Sequence, residues 1–223
     1  EYEWSSAERE FRRALELNPN LGNVHNWYGL MLSWIGRHDE AIAQLKQALE
    51  LDPLNLKYND TLAIVYSNAG KYDLAFEQWK KTLEMDPNFP SSLGNMAGTY
   101  LDVGRYEEWL QGWVRSATAI DDKDQLKIAQ ETARVYHQSG RTAALKRTAQ
   151  LWEELGKRRY VDPAQIAYNY AYLGDGDRTF QWLEKAYQEK SNNLGAIKIV
   201  VPMNQFHSDP RYVDLLKRMH LTP

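Results

Sequence analysis

Histidine side chains can bind metals or transfer protons, and this 223-residue chain has five of them. A zinc site usually pairs histidines at H-x-x-x-H spacing or joins them with cysteines, because both side chains offer a ligand atom. The chain has no cysteine and no H-x-x-x-H pair. We therefore predict neither a metal site nor a cofactor, and we assign His38, in a predicted interhelical turn, to packing. The five histidines are His25, His38, His137, His207 and His220.

Acidic and glycine-rich runs are the other candidates for chemistry. The run 121–124 (DDKD) lacks the glycine and distal glutamate of an EF-hand loop, so we interpret it as an interhelical loop with Asp124 as a helix N-cap. The run 174–177 (GDGD) follows a predicted helix and lacks the G-x-x-x-x-G-K spacing that cradles phosphates. Adjacent glutamates, as at 153 and 154, face different directions on a helix. No G-x-S-x-G element is present, and these patterns together predict a protein that is not an enzyme.

Charge and hydropathy argue against nucleic-acid and membrane partners. Lysine and arginine number 27 against 30 acidic residues, for a net charge of −3, and the basic runs 146–147 and 157–159 are short. Nucleic acid favours a longer basic stripe interleaved with aromatic residues. The longest apolar run, 196–201, is far shorter than the roughly 20 residues that span a bilayer. We expect a cytoplasmic location, or a periplasmic one if a transmembrane segment lies upstream.

A repeat with a period of about 34 residues organises the chain. Three prolines and five glycines recur at this interval, and only the spacing before Gly140 is longer, by two positions. Apolar residues recur at helical spacing between these marks. Glycine accepts the left-handed conformation that ends a helix, and proline suits the opening of the next helix. The two columns are Pro19, Pro53 and Pro87, and Gly36, Gly70, Gly104, Gly140 and Gly174.

The pattern predicts an all-α chain. The predicted helices cover residues 4–17, 22–35, 38–51, 55–69, 72–85, 90–103, 106–119, 125–138, 142–156, 163–173 and 177–190. A final short helix follows Asp209 as N-cap and Pro210 at its first position.

This period and its columns resemble the tetratricopeptide repeat (TPR), a helix–turn–helix unit of the same length. The eighth position of each repeat is small, as it must be where the two helices of a repeat approach closely. The resemblance covers nearly the whole chain and implies a right-handed α-solenoid of antiparallel helix pairs. In the fifth repeat Leu145 and Trp152 replace small residues and Ala149 replaces a large one, so we predict a weak joint there. The small column holds Gly29, Ala63, Ala97, Ala133 and Ala167.

The expected domains are an array over residues 1–190, with about five and a half repeats, and a capping segment over residues 191–223. The first repeat is incomplete, so we expect the chain to begin inside a longer protein. The missing helix leaves apolar surface at Trp4 and Leu15 that is exposed or covered by a neighbouring molecule, which allows self-association through this end.

The last third resembles a particular bacterial group. The runs 160–163 (YVDP), 174–178 (GDGDR), 182–187 (WLEKAY) and 208–211 (SDPR) are similar to those in C-terminal TPR arrays of larger signalling proteins and transcription regulators. The N-terminal parts of those proteins are winged-helix, kinase or adenylyl cyclase domains. This resemblance implies a regulatory module.

In TPR arrays the first helix of each repeat lines a concave groove. The corresponding residues here mix amide, hydroxyl and apolar groups, which suits an extended peptide. The lysine and asparagine of a carboxylate clamp are absent from their positions. Gly94 and Gly98, one helical turn apart, predict either unusually close helix packing or an open cleft, with Arg134 available to pair with an acidic group. The predicted groove residues are Asn26, Leu30, Trp34, Asp60, Ile64, Ser67, Asn68, Gly94, Gly98, Leu101, Asp102, Gln130, Arg134 and His137.

The sequence thus predicts a protein–protein interaction scaffold that binds a peptide or protein partner in this groove. The alternative is a structural module that sets the oligomeric state of a larger protein. Peptide capture and light-scattering measurements distinguish the two.

Overall fold

The computed structural model describes residues 3–221, which form helices and no strand. None of the helices in this part of the chain is both long and apolar enough to cross a membrane. The α-helices are α1 (Trp4–Leu17), α2 (Gly22–Trp34), α3 (His38–Leu51), α4 (Leu56–Asn68), α5 (Tyr72–Met85), α6 (Pro90–Asp102), α7 (Tyr106–Ala119), α8 (Lys123–Gly156), α9 (Pro163–Leu173), α10 (Gly176–Gln188) and α11 (Pro210–Arg218). Two 3₁₀ helices, η1 (Asn192–Ala196) and η2 (Val201–Phe206), lie between α10 and α11.

Consecutive helices pack as hairpins, and the hairpins stack. The pairs α2–α3, α4–α5, α6–α7 and α9–α10 lie against each other, and the first helices α2, α4 and α6 are neighbours in turn. The all-α solenoid predicted from the period is therefore confirmed. The helix bounds lie close to the predicted ones, because glycine and the turn residues end each helix locally. All five glycines of the column have φ between 71° and 88°, the left-handed region that glycine tolerates.

The predicted break between two helices near residue 140 is present as a sharp turn, here called the kink of α8, at which the two halves of α8 fold back on each other: the Thr132 and Thr148 hydroxyls lie 2.7 Å apart, and Ile128 packs with Ala149 and Trp152. α8 runs from Lys123 to Gly156, and Gly140 alone departs from helical geometry, with φ 77° and ψ −177°. Two arms, residues 123–139 and 141–156, meet at this glycine, which is exposed. The longer spacing before Gly140 falls in the first arm.

Two details of the helix starts differ from the sequence prediction. Pro19, Pro53 and Pro87 lie in exposed turns before α2, α4 and α6, not in the first turn of those helices. The N-cap of α8 is Asp122, whose side chain accepts hydrogen bonds from two backbone N–H groups of the first turn. Asp124, the predicted cap, lies inside the helix, and its own backbone N–H is one of the two that donate to Asp122. The cap of α11 is Asp209, as predicted.

The small column marks the closest approach within each hairpin. A Cβ on Gly29 would lie 3.0 Å from the carbonyl oxygen of Ala41 and 3.0 Å from Cγ of Leu45. Ala63 and Ala167 have no exposed surface at the equivalent positions. Larger side chains would force the paired helices apart, which explains the restriction to glycine and alanine.

His25 clamps the second repeat, and the same clamp recurs in the next repeat. Its ring nitrogens lie 2.7 Å from Oε1 of Gln44 and 2.9 Å from the carbonyl of Pro19. Asn59 donates to the carbonyl of Pro53 at 3.0 Å and accepts from Gln78, which is Gln44 one repeat on. The recurrence identifies His25 as a structural contact between helices.

The C-terminal segment covers the first helix. The indole N–H of Trp4 donates to the carbonyl of Met219 at 2.9 Å. A Cβ on Gly195 would lie 3.4 Å from the Trp4 ring and 3.3 Å from the Trp34 ring. Trp4 therefore packs against this chain's own C-terminal segment, where the sequence suggested an exposed surface or a neighbouring molecule. Leu15 is half-buried among the residues around α2.

Candidate functional site

Several predicted groove residues link neighbouring repeats by hydrogen bonds. Asn68 donates to Oγ of Ser33 at 2.9 Å, which joins α4 to α2. The hydroxyls of Ser67 and Thr99 are 2.9 Å apart, which joins α4 to α6. These side chains are buried or half-buried and form a polar ladder across the first helices.

Asn26 and Asp60 occupy equivalent positions in consecutive repeats, and both are buried. Asp60 is 3% exposed and accepts hydrogen bonds from Trp79, Ser91, Ser92 and Asn95. Burial raises the pKa of Asp60 although these bonds act to lower it. Asn26 is 0% exposed, and neither its nitrogen nor its oxygen has a hydrogen-bond partner within residues 3–221. The structure places both side chains inside the array, beyond the reach of a partner.

The other predicted residues are scattered. Leu30 and Ile64 are half-buried, and Trp34 packs beneath η1. Gln130, Arg134 and His137 are exposed on the first arm of α8. Only a few of the predicted groove residues lie together in the structure. They are Gly94, Gly98 and Leu101, with Asp102 beside them.

Gly94 is in the same repeat column as Asn26 and Asp60, and Gly98 is in the same column as Leu30 and Ile64. At both positions α6 therefore lacks the side chain that the earlier repeats carry. A Cβ on Gly98 would meet nothing within 4 Å, whereas a Cβ on Gly94 would lie 3.0 Å from Oγ of Ser116. The space beside them is a cleft of about 510 Å³, here called the aromatic cleft. Its lining includes Gly94, Ala97, Gly98, Leu101, Trp109, Trp113, Trp152, Tyr160, Asp162, Gln165, Tyr168, Asn169, Tyr172, Asn193 and Val200.

Three indoles form one wall of the aromatic cleft. Trp109 and Trp113 stack with ring centroids 6.0 Å apart and planes 14° apart. Trp113 and Trp152 stack at 6.3 Å and 20°. Trp152 is 7% exposed, and its indole N–H is buried without an acceptor within residues 3–221. Tyr160, by contrast, is 70% exposed and lies at the edge of the cleft.

The charged groups around the aromatic cleft are held by hydrogen bonds. Nη2 of Arg159 lies 2.6 Å from Oδ2 of Asp122. Burial acts to raise the pKa of Asp122, but the hydrogen bonds from Arg159 and the helix N-terminus hold it below its ordinary value. The oxygens of Asp162 accept from Ser191 at 2.6 Å and from Asn193 at 2.9 Å. At the polar rim of the cleft, Arg159 is therefore paired with an opposite charge, whereas Asp162 is held by neutral hydrogen-bond donors and keeps its negative charge.

A hydrogen bond between α9 and α6 closes one side of the cleft. The Tyr172 hydroxyl donates to Oδ1 of Asp102, a contact between residues 70 positions apart. Burial raises the pKa of Asp102 to about 6, although this bond acts to lower it. The pKa of Tyr172 lies well above its ordinary value, first because the ring is buried and then because Asp102 is close. The Tyr172 hydroxyl is therefore the proton donor in this contact.

The arginines of the short basic runs are paired with carboxylates in the fold. Arg147 lies 3.1 Å from Glu154 and 3.8 Å from Glu131, and Arg158 lies 3.4 Å from Asp124. In the described part of the chain, no three histidine, aspartate or glutamate side chains are grouped as metal ligands.

Sequence reasoning identified the glycines of the aromatic cleft but not its walls. Trp152 departs from its column, which normally holds a small residue, and this departure by itself predicts only poor packing. The structure shows that Leu145 is 1% exposed, Ala149 0% and Trp152 7%, so the exchanged sizes pack together. Tyr160 and Tyr172 give no periodic signal, because they line the cleft together with residues of distant repeats, as where Tyr172 contacts Asp102 across 70 positions.

Comparison with known proteins agrees with this architecture. Residues 23–53 match the family model described as "Tetratricopeptide repeat". No curated protein sequence matches the chain.

Three solved structures share the fold. PilF from Pseudomonas aeruginosa aligns with a TM-score of 0.52 and 20% identity, over 89% of this chain and 91% of PilF. PilW, a widely conserved type IV pilus biogenesis factor, aligns with a TM-score of 0.56 and 16% identity, over 87% of this chain and 90% of PilW. Yeast Tom70 aligns with a TM-score of 0.53 and 19% identity, over 95% of this chain and 46% of Tom70. At these identities the likeness concerns the fold alone.

Proposed function

We propose that this chain of tetratricopeptide repeats is a protein–protein interaction scaffold whose aromatic cleft binds a peptide segment of a partner. The observation that carries the proposal is the open space beside Gly98, where an added Cβ would meet no atom within 4 Å. Glycine inside a helix costs about 0.5–1 kcal/mol relative to alanine. A cleft of about 510 Å³ lies within the range of ligand-binding pockets, which is about 300–1,000 Å³.

The predicted groove residues take different parts in this proposal. Gly94, Gly98 and Leu101 line the cleft, and the polar ladder through Ser67 and Asn68 keeps the adjoining helices in register. The exposed side chains of α8, including Arg134, offer further contacts to a partner longer than the cleft. Arg134 itself is held by Glu131 at 2.7 Å, so a partner would compete with that pair.

The wider context of the proposal comes from the last third of the sequence. Its resemblance to arrays in bacterial regulators favours a regulatory module of a larger bacterial protein, without catalytic activity of its own. In that arrangement, partner binding to the array would report to another domain.

Filling the cleft tests the proposal directly. Gly98→Trp should remain folded, because the space beside residue 98 is open, and should lose partner peptides in capture from a peptide library. Lys80→Trp is the control, because Lys80 is exposed on α5 and does not line the cleft. Circular dichroism checks that both variants keep their helicity.

The outcome of this comparison decides between binding and assembly. Unchanged peptide capture by a folded Gly98→Trp variant would rule out the aromatic cleft as the site. If the chain captures no peptide and light scattering shows a discrete oligomer, the structural alternative is the better account.

A further inference from the structure

Residues 163–221, here called the last unit, lie across the groove that the first repeats form. α9 reaches α6 through the bond between Tyr172 and Asp102, and η1 reaches α2, where a Cβ on Gly195 would lie 3.3 Å from the Trp34 ring. Asp102 and Trp34 are both predicted groove residues, and they occupy one repeat column. An open solenoid makes contacts between neighbouring repeats only. These contacts between distant repeats therefore close the array on itself.

The first helix joins the same closure. The Trp4 indole donates to the carbonyl of Met219 at 2.9 Å, and its ring lies 3.4 Å from the position of a Cβ on Gly195. Trp4 and Ile35 both pack against the core that α9, α10 and α11 form. The contacts of Trp4, Trp34 and Ile35 with the last unit are here called the clasp.

The clasp is weaker than the cores on either side of it. Trp4, Trp34 and Ile35 are each only half-buried, and no residue of α1 is fully buried. By contrast, Leu45 in the α2–α3 hairpin and Leu194 in the last unit have no exposed surface. An interface that buries little apolar surface separates at a lower free energy than a packed core unfolds. The clasp can therefore open while both sides stay folded.

The clasp also covers part of the predicted groove. Leu30 is half-buried, and Trp34 lies beneath η1. At the other end of the array, Tyr168 occupies the same repeat column as Leu30 and Gly98, and its hydroxyl donates to the carbonyl of Asn193 in η1 at 3.0 Å. Side chains at groove positions of the first and last repeats thus contact η1, which lies where a long peptide would pass.

We propose that the clasp is an autoinhibitory contact: the last unit covers the α2 end of the groove, and opening of the clasp extends the groove from the aromatic cleft to α2. This inference rests on the proposed function and adds the regulation of the same groove. A partner segment longer than the cleft binds the open form, so its binding competes with the contacts of Trp4 and Trp34. Any change that holds α1 away from the last unit promotes binding.

Distance measurements between spin labels test the opening. The chain has no cysteine, so labels can be attached to Glu3→Cys and Gln188→Cys, two exposed positions that line one pocket. Trp4→Ala should increase the population with a long distance at least about fivefold, as loss of one hydrogen bond implies. A second pair, Lys46→Cys with Gln188→Cys, places one label on α3 and distinguishes opening of the array from detachment of α1 alone. Leu74→Ala, on α5 and 46% exposed, is the control and should not change either distance.

Crosslinking tests the inhibition. A bismaleimide that joins the cysteines introduced at positions 3 and 188 holds the clasp closed, and the same variant before crosslinking is the matched control. Capture of library peptides should fall at least about fivefold on crosslinking and should rise in Trp4→Ala by a similar factor. Peptides longer than the aromatic cleft should be affected most. Circular dichroism checks that every form stays folded.

Three results would overturn the inference. A single short distance for the Lys46 and Gln188 pair in folded Trp4→Ala would show that the array stays closed. Opening of the clasp with equal peptide capture before and after crosslinking would show that the contact does not inhibit. Both results leave the proposed function standing, because Gly98→Trp tests it separately. Capture of no peptide by any form, the open Trp4→Ala variant included, would refute this inference and the proposed function together.

Discussion

Asp60 and Asn26 occupy the same column in consecutive repeats, and replacing each by alanine should have very different effects on stability. Asp60 is 3% exposed and accepts hydrogen bonds from Trp79 at 2.9 Å and Ser92 at 2.8 Å, both of which are buried. Asp60→Ala leaves these two donors without an acceptor and without access to water. Asn26→Ala removes an amide that has no hydrogen-bond partner within residues 3–221.

The magnitudes follow from the buried donors. An orphaned buried donor costs about 1–3 kcal/mol, and removing one side of a buried charged network costs about 3–5 kcal/mol. The donors Ser91 and Asn95 are less buried and can turn to water, so we expect Asp60→Ala to lose about 3–4 kcal/mol. For Asn26→Ala, the cavity cost is offset by relief of the unpaired amide, and we expect a loss of about 1 kcal/mol or less.

Chemical and thermal denaturation followed by circular dichroism measure both variants against the wild type. In a chain of this length, about 1 kcal/mol shifts Tm by about 2–4 °C, so Asp60→Ala should melt roughly 10 °C lower. Repeat arrays can unfold in parts, so hydrogen exchange in α4 and α6 should confirm that the loss is local to the network. Equal losses in the two variants would refute the assignment of different roles to this column.

Three further predictions concern other parts of the array. Asp102→Asn should remove a pH dependence of stability. Because the pKa of Asp102 is raised in the folded state, the stability of the wild type should fall as pH rises from about 4 through about 6. Urea titrations should show this fall as up to about 3 kcal/mol relative to the variant. Gly112→Ala should destabilise the protein by about 1–3 kcal/mol in thermal melts, because the added Cβ would lie 2.9 Å from the Cβ of Ala97. Gly98→Ala should instead stabilise it by about 0.5–1 kcal/mol, because the added Cβ would meet no atom within 4 Å. Amides in 125–156, around the kink of α8, should exchange faster than those in 38–85, and equal protection would contradict a weak joint there.

The periodic features of this protein could be predicted from its sequence because they depend on local physics. Glycine at Gly36 and Gly70 ends a helix through a backbone conformation that other residues avoid, and its position is visible in the sequence. A column of small residues reports a close helix approach that recurs in every hairpin. These local rules were enough to place the helices and to indicate the two glycines of the cleft.

The sequence was less informative about single side chains within the columns. The sequence predicts position 60 in the groove, but the side chain points inward, where buried donors from α5 and α6 surround it. The exposed residues Arg134 and His137 were expected beside Gly98, but they do not line the cleft. A repeat pattern predicts which face of a helix a residue occupies, and neighbours from other repeats decide whether that face is open.

The sequence by itself determined the helices, their pairing and the repeat fold, because each depends on residues within one repeat period. Only the tertiary structure decided the walls of the aromatic cleft and the cover over the first helix. Tyr172 meets Asp102 across 70 residues, and Trp4 meets Met219 across 215. Such contacts depend on small rotations that add up from repeat to repeat and on the kink at Gly140, and no local pattern of residues records that sum.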